Sequence, residues 1–253
     1  MNHLRKMPGF VVLVCAAVLP AAAMAESDFQ VGGAVGIQTK QLDYQFVGIS
    51  IKPTLQMVSY SLTTSYRQFF ANVELETMLE GDTQYVGDVT SRQTLIIESK
   101  RSDSAITLGY TLWRGLSVFG GYKVGETESN LSPVDGGVAK VIFSQNGPFA
   151  GISYGQAIGT KGSVSVSAAY ASFDGEASVD YIGTGARFTS GGRTSGLSYG
   201  INWTGTLSES SYYRLAFRIN NYKFKDNDLG YLGEDLSTNE NYRIIGLSVG
   251  TNF

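Results

Sequence analysis

A two-residue alternation of bulky and small side chains recurs along most of this sequence. One example runs from residue 105 to residue 112, and the pattern resumes after a tight Arg114-Gly115 turn, over residues 116–124. Successive side chains of a β-strand point to opposite faces, so this period predicts strands with one bulky face and one small face.

Ten segments carry the pattern, and their connections alternate between short and long. The segments are 29–37, 58–62, 69–75, 105–112, 116–124, 151–156, 163–170, 197–203, 212–219 and 242–253. The short connections fall near 64–67, 114–115, 159–162 and 205–209, and the long ones near 39–53, 80–103, 127–147, 174–193 and 223–240. Short turns at one end and long loops at the other are typical of outer-membrane barrels. The sequence therefore predicts a closed antiparallel transmembrane β-barrel of ten strands, with eight or twelve strands as alternatives, short periplasmic turns and long extracellular loops.

The composition favours this barrel over a soluble β-sandwich, which is the main alternative. Charged residues make up 16% of the chain, whereas soluble domains usually contain about 25%. The second face of a sandwich meets water and carries charged residues, but here that face is mostly Gly, Ser, Ala, Thr and Asn. Small polar residues of this kind suit an enclosed lumen, and the bulky face then meets lipid.

Residues 1–25 are predicted to be a cleaved secretory signal peptide. Arg5 and Lys6 precede a short apolar run, and Ala23-Met24-Ala25 is a small-x-small cleavage site. Residues 26–253 then form a single domain. The signal removes two of 19 basic and none of 22 acidic residues, so the mature charge is −5, and no nucleic-acid partner is expected.

The last predicted strand carries a resemblance to a known family. Ile245, Leu247, Val249 and Phe253 lie on one face of it, although Thr251 interrupts the apolar series. With the alternation, this ending resembles the small outer-membrane β-barrel proteins of Gram-negative bacteria. The resemblance implies a multi-pass protein of the cell outer membrane with both termini in the periplasm. Its implied partners are outer-membrane lipids, lipopolysaccharide and the barrel-assembly machinery, which reads this C-terminal signal, and an extracellular ligand is left open.

Two further groups of residues are candidate site residues. Five charged side chains have inward parity and are predicted to form a charge cluster in the lumen, either as a salt-bridged seal or as an ion-selective constriction: Glu74, Glu76, Lys123, Arg214 and Arg218. Two tryptophans beside short turns, Trp113 and Trp203, are predicted to lie in an interfacial aromatic girdle.

No catalytic residue, cofactor or metal site is predicted. Three copies of G-x-S-x-G occur, with Ser153, Ser198 and Ser248 as the central residues. A serine nucleophile on such an elbow needs a strand-to-helix turn and a base, usually histidine. The one histidine, His3, lies in the predicted signal peptide, and none of the three motifs precedes a helical pattern. The acidic 223–240 region lacks the spacing of an EF-hand calcium loop.

The sequence therefore predicts a non-enzymatic, integral outer-membrane barrel. Its expected role is that of a surface or structural protein whose long extracellular loops serve binding or adhesion. A narrow, porin-like channel for small solutes or hydrophobic molecules is the alternative.

Overall fold

A computed structural model of the protein describes residues 29–46, 49–80, 82–87, 94–133, 139–159, 162–181, 184–226 and 237–253. The predicted signal peptide and residues 227–236 of the acidic region lie outside the described residues. None of the described residues forms a helix long and apolar enough to cross a membrane.

The described chain is an all-β structure. Its strands are β1 (Phe29–Phe46), β2 (Ile49–Ile51), β3 (Thr54–Tyr66), β4 (Phe69–Glu80), β5 (Asp82–Gly87), β6 (Thr94–Trp113), β7 (Leu116–Pro133), β8 (Ala139–Ile158), β9 (Gly162–Tyr181), β10 (Ala186–Thr206), β11 (Ser211–Asp226) and β12 (Ser237–Asn252).

Ten of these strands form the predicted closed antiparallel barrel. Each pairs with the next long strand along the chain, and β12 pairs with β1 from Gly32↔Asn252 to Tyr44↔Glu240 to close the ring. The short strand β2 continues the register of β3 against β1, and β5 pairs with β6 beyond the end of β4. Closure leaves no unpaired edge among the ten long strands, which is a requirement for backbone inside a bilayer.

The strands extend further than the alternation predicts. β6, β8 and β9 each contain 20 residues and β10 contains 21, so much of the sequence predicted as long connections is strand. Four tight connections, after β3, β6, β8 and β10, define one end of the barrel, here called the turn end. The opposite end, where the strands continue beyond the apolar belt described below, is called the extended end.

A belt of bulky apolar side chains covers the outer wall at the turn end. Leu108, Ile37 and Ile245 expose 62%, 60% and 64% of their surface. On seven of the ten barrel strands the outward residue that follows this belt is polar. The steps are Ile37 to Thr39, Leu75 to Thr77, Val124 to Glu126, Tyr170 to Ser172, Leu197 to Ser195, Ile219 to Asn221 and Ile245 to Arg243. An outer apolar surface with a sharp polar boundary is the surface of a barrel that spans a bilayer.

Glycine allows aromatic rings to lie flat against the inner wall of the lumen. A Cβ placed on Gly109 would lie 2.0 Å from the Phe70 ring, and one on Gly121 would lie 2.5 Å from the Phe149 ring. Phe119 covers Gly151 and Tyr212 covers Gly250 in the same way. At these four positions glycine is required because the ring occupies the space that a side chain would need.

Candidate functional site: the barrel lumen

A continuous layer of buried side chains crosses the lumen beside the polar boundary of the outer belt. Every one of the ten barrel strands contributes to it, and no member exposes more than 7% of its surface. We call this layer the lumen plug; it consists of Lys40, Leu42, Leu55, Met57, Glu76, Arg101, Asp103, Thr127, Gln145, Phe173, Thr194, Tyr222 and Tyr242. Side chains from all sides of the wall therefore bury one another at this level.

One half of the plug is an ion-pair network centred on Asp103. Lys40 Nζ lies 2.6 Å from Asp103 Oδ2 and 2.5 Å from Glu76 Oε2. The Arg101 guanidinium donates from Nε and Nη2 to the two carboxylate oxygens of Asp103, at 2.7 and 2.9 Å. Lys123 Nζ lies 3.3 Å from Asp103 Oδ1. Buried charges are tolerated when they are paired and hydrogen-bonded in this way.

Aromatic rings form the other half of the plug and join it to the network. The Arg101 guanidinium stacks over the Tyr242 ring at 4.7 Å, and Gln145 Nε2 donates to the Tyr242 hydroxyl at 3.1 Å. The Tyr242 ring meets Tyr222 edge-on at 5.9 Å, and Tyr222 meets Phe173 at 5.5 Å. The contacts therefore run unbroken from β4 to β9 across the lumen.

The predicted charge cluster does face the lumen, but the structure divides it. Glu76 and Lys123 join the network through Lys40 and Asp103, which are partners outside the predicted set. Glu74 and Arg218 lie on the turn-end side of the plug, where both line a cavity of about 190 Å³. Neither Glu74 nor Arg218 makes an ion pair with any residue of the described part of the chain.

Arg214 lies nearer the turn end than the other charges. Its guanidinium is 5.8 Å from the Tyr212 ring. It lines a smaller cavity of about 70 Å³, and Glu74 and Arg218 also line this cavity. The two cavities thus share a pair of charged side chains of opposite sign.

Lys40, Arg101 and Asp103 were not predicted as site residues, because they fall in segments predicted to be connections. Each lies on the inward parity of a strand that continues into the predicted loop. The inward parity of β1 continues past Ile37 to Lys40, and that of β6 extends back from Ala105 to Asp103 and Arg101. This continued parity is the sequence signal that identifies the three residues.

The other predicted site residues lie on the outer wall. Trp113 is 67% exposed beside the β6–β7 turn, and Trp203 donates from Nε1 to the Tyr213 hydroxyl at 3.1 Å. Ile245, Leu247 and Val249 point outward from β12. Phe253 directly follows β12, and its backbone N–H donates to the Val31 carbonyl oxygen on β1 at 2.8 Å.

The three G-x-S-x-G serines lie inside strands and not at strand-to-helix turns. Ser153, Ser198 and Ser248 are on β8, β10 and β12, with inward parity. The Ser198 hydroxyl donates to the Asn220 side-chain oxygen. Within the described residues, no group of three or more His, Cys, Asp and Glu side chains could hold a metal ion.

Comparisons with known proteins identify the fold. No protein-family model and no curated protein sequence matches this chain. Among solved structures, the outer membrane protease OmpT from Escherichia coli is similar with a TM-score of 0.63 at 9% identity, covering 89% of this chain and 96% of OmpT. The translocator domain of the autotransporter NalP from Neisseria meningitidis is similar with a TM-score of 0.46 at 11% identity. This match covers 91% of this chain and 90% of the NalP chain. Ail, the attachment invasion locus protein of Yersinia pestis, is similar with a TM-score of 0.39 at 11% identity. This match covers 88% of this chain and 99% of the Ail chain.

Of these three matches, the one to OmpT has a TM-score above 0.5, and at 9% identity it establishes the fold alone. The chain is therefore a closed, ten-stranded antiparallel transmembrane β-barrel with the fold of the small outer-membrane proteins.

Proposed function

We propose that this protein is a non-conducting, non-enzymatic barrel of the cell outer membrane that presents its extended end at the cell surface for binding. The lumen plug carries this proposal, because ten strands supply buried side chains to one layer. A ten-stranded lumen is only slightly wider than the eight-stranded lumen that side chains fill completely. A plug of this size therefore suffices to stop diffusion.

Planar-bilayer recording tests the closed state directly. The purified protein should insert without producing a unitary conductance. A stable unitary conductance that changes in Glu74→Gln or Arg218→Gln would instead support the narrow channel that the sequence left as the alternative.

The extended end offers the binding surface. Beyond the polar boundary, β9 continues from Ser172 to Tyr181, and ten residues of strand span about 33 Å along the strand. Exposed acidic side chains line this wall, with Glu126 on β7 and Asp174 and Glu176 on β9. A polar wall of this height above the lipid suits contact with a soluble or surface-bound partner.

Cysteine labelling tests the orientation, including periplasmic termini. The chain has one cysteine, Cys15, within the predicted signal peptide. In intact cells, a membrane-impermeant maleimide should modify Glu176→Cys at the extended end. It should modify Glu209→Cys, in the turn after β10, only after the outer membrane is permeabilised. The reverse pattern would place the extended end in the periplasm.

Lipopolysaccharide is the proposed lipid partner on one side of the barrel. Three exposed cations lie just beyond the apolar belt on adjacent strands: Arg193 on β10, Lys223 on β11 and Arg243 on β12. None of them makes an ion pair within the described part of the chain. Cations just beyond the edge of the apolar belt are placed to bind lipid phosphate groups. Replacing all three with Gln should reduce lipopolysaccharide co-purification, whereas an unchanged yield would argue against this face.

The barrel-assembly machinery is proposed to read β12. Its outward residues Ile245, Leu247 and Val249, with Phe253, lie on the strand that closes the ring against β1. Phe253→Ala should slow the appearance of heat-modifiable protein in the outer membrane. Thr251→Ala, in the same strand, is the matched control and should assemble at the normal rate.

A further inference from the structure

The cavity on the turn-end side of the plug combines aromatic walls with charged groups. Its volume is about 190 Å³. Four rings line it, namely Phe119, Phe149, Phe173 and Tyr222, and Glu74, Lys123 and Arg218 also line it. An apolar cavity of about 150 Å³ accommodates benzene, so this chamber has room for one ring and a small polar group.

Positive charge exceeds negative charge around this chamber. Lys123 has Asp103 as its ion-pair partner, but Asp103 also binds Lys40 and Arg101. Of the inward charged side chains that the structure describes, Lys40, Arg101, Lys123, Arg214 and Arg218 are cationic and Glu74, Glu76 and Asp103 are anionic. An enclosed surplus of cations favours an anionic occupant, because charge in a low-dielectric space needs compensation.

Arg218 is the group placed to bind that anion. Its guanidinium presents several donors, which suits a planar carboxylate. Glu74 lines both lumen cavities with it and attracts it, but no carboxylate oxygen of the described residues lies within 4.0 Å of its guanidinium nitrogens. The smaller cavity extends from this pair to Arg214 and Asn202, toward the turn end. A ligand would therefore approach from the turn end and stop at the plug.

We propose that this chamber binds a small organic monoanion with a compact apolar body, of the size of a one-ring carboxylate. The ligand's ring packs against Phe119 and Phe149, whose own rings lie 6.3 Å apart, and its carboxylate meets Arg218 and Lys123. The chamber is a dead-ended binding site and does not depend on the surface role proposed above.

Fluorine NMR on the purified full barrel in nanodiscs tests this site with 4-fluorobenzoate as the probe. The probe should show saturable binding. The neutral analogue 4-fluorobenzamide, which has the same ring and nearly the same size, should bind at least tenfold more weakly, because it lacks the charge that Arg218 recognises. Equal binding of the two probes, or no saturable binding of 4-fluorobenzoate, would overturn the proposal.

Variants locate the site within the lumen. Arg218→Gln should weaken 4-fluorobenzoate binding about tenfold, the effect of losing a charged hydrogen bond. Glu74→Gln should strengthen binding, because it removes a repelling carboxylate. Lys100→Gln removes an exposed cation from the outer wall of β6 and should bind as the wild type does.

A cavity-filling variant makes the test independent of Arg218. Ala105 lines the chamber, and Ala105→Leu should abolish binding while the heat-modifiable barrel is retained. Should Arg218→Gln fail to assemble, Ala105→Leu decides alone. Unchanged binding in an assembled Arg218→Gln or Ala105→Leu barrel would contradict the site.

Discussion

At the residue scale, Lys40 holds one half of the plug together, because its buried ammonium group binds two carboxylates. It is 1% exposed and binds both Glu76 and Asp103. Removing one partner of a buried ion pair leaves uncompensated charge. Lys40→Met should therefore lower the free energy of unfolding by about 3–5 kcal/mol, measured by urea titration in lipid vesicles.

An exposed lysine in another ion pair is the control for Lys40→Met. Lys52 Nζ lies 3.1 Å from Asp43 Oδ2, and the Lys52 side chain is 65% exposed. Lys52→Met should change the free energy of unfolding by no more than about 1 kcal/mol, because solvent screens the pair. Equal effects of the two substitutions would show that the plug contributes no more stability than a surface contact.

Two adjacent glycines test the packing of rings on the inner wall. A Cβ on the inward Gly121 would lie 2.1 Å from the Ile106 carbonyl oxygen, whereas one on the outward Gly120 would meet nothing closer than 3.5 Å. Gly121→Ala should therefore destabilise the barrel by about 1–3 kcal/mol through overpacking. Gly120→Ala should leave stability within about 1 kcal/mol of the wild type. The urea midpoint of each variant measures the two effects. A larger loss of stability for Gly120→Ala than for Gly121→Ala would contradict the assignment of Gly121 to the inner wall.

At the element scale, each long strand has a lipid-facing part and a part beyond the lipid. On β6, Leu108 belongs to the apolar belt, whereas Ser102 points to the same face beyond the polar boundary. Leu108→Arg should destabilise the barrel by about 2–4 kcal/mol, the effect of a lipid-facing cation near the bilayer midplane.

Ser102→Arg is the matched control on the same strand and face, and it should have an effect near zero. Comparable losses for the two substitutions would mean that the apolar belt does not meet hydrocarbon. The assembled fraction on unboiled SDS gels provides an independent measurement of the same difference.

The strand positions followed from sequence, but the strand lengths did not. Nine of the ten predicted segments lie wholly within barrel strands, and the tenth, 242–253, ends one residue beyond β12. Alternation fades where the outer face becomes polar, because both faces of the strand then carry polar residues. The strand continues there since its backbone remains paired with its neighbours, as β9 does with β10 as far as Tyr181↔Ala186.

At the scale of the whole molecule, closure of the ring brings residues far apart in sequence into the plug. Tyr242 contacts Gln145, which is 97 residues away along the chain, and the ring of Tyr222. The double variant Tyr222→Ala/Tyr242→Ala removes most of this aromatic contact and should convert a silent barrel into a conducting one. Planar-bilayer recording measures the change.

The control for this double variant removes two tyrosines from the outer wall. Tyr122→Ala/Tyr199→Ala affects side chains that are 49% and 48% exposed and lipid-facing, so it should stay silent. Conductance in both double variants would indicate general loosening of the barrel and not the opening of a specific plug.

The sequence by itself determined which residues face lipid and which face the lumen, because a strand's two faces are fixed by neighbours two residues apart. It therefore yielded the strand order, the apolar belt and the inward parity of Glu76 and Lys123. Only the tertiary structure decided that Lys40 and Asp103 are the partners of these two residues, and that rings from β9, β11 and β12 complete the lumen plug. Contacts across a lumen depend on the stagger with which ten strands close into a ring, and no local pattern of residues specifies that stagger.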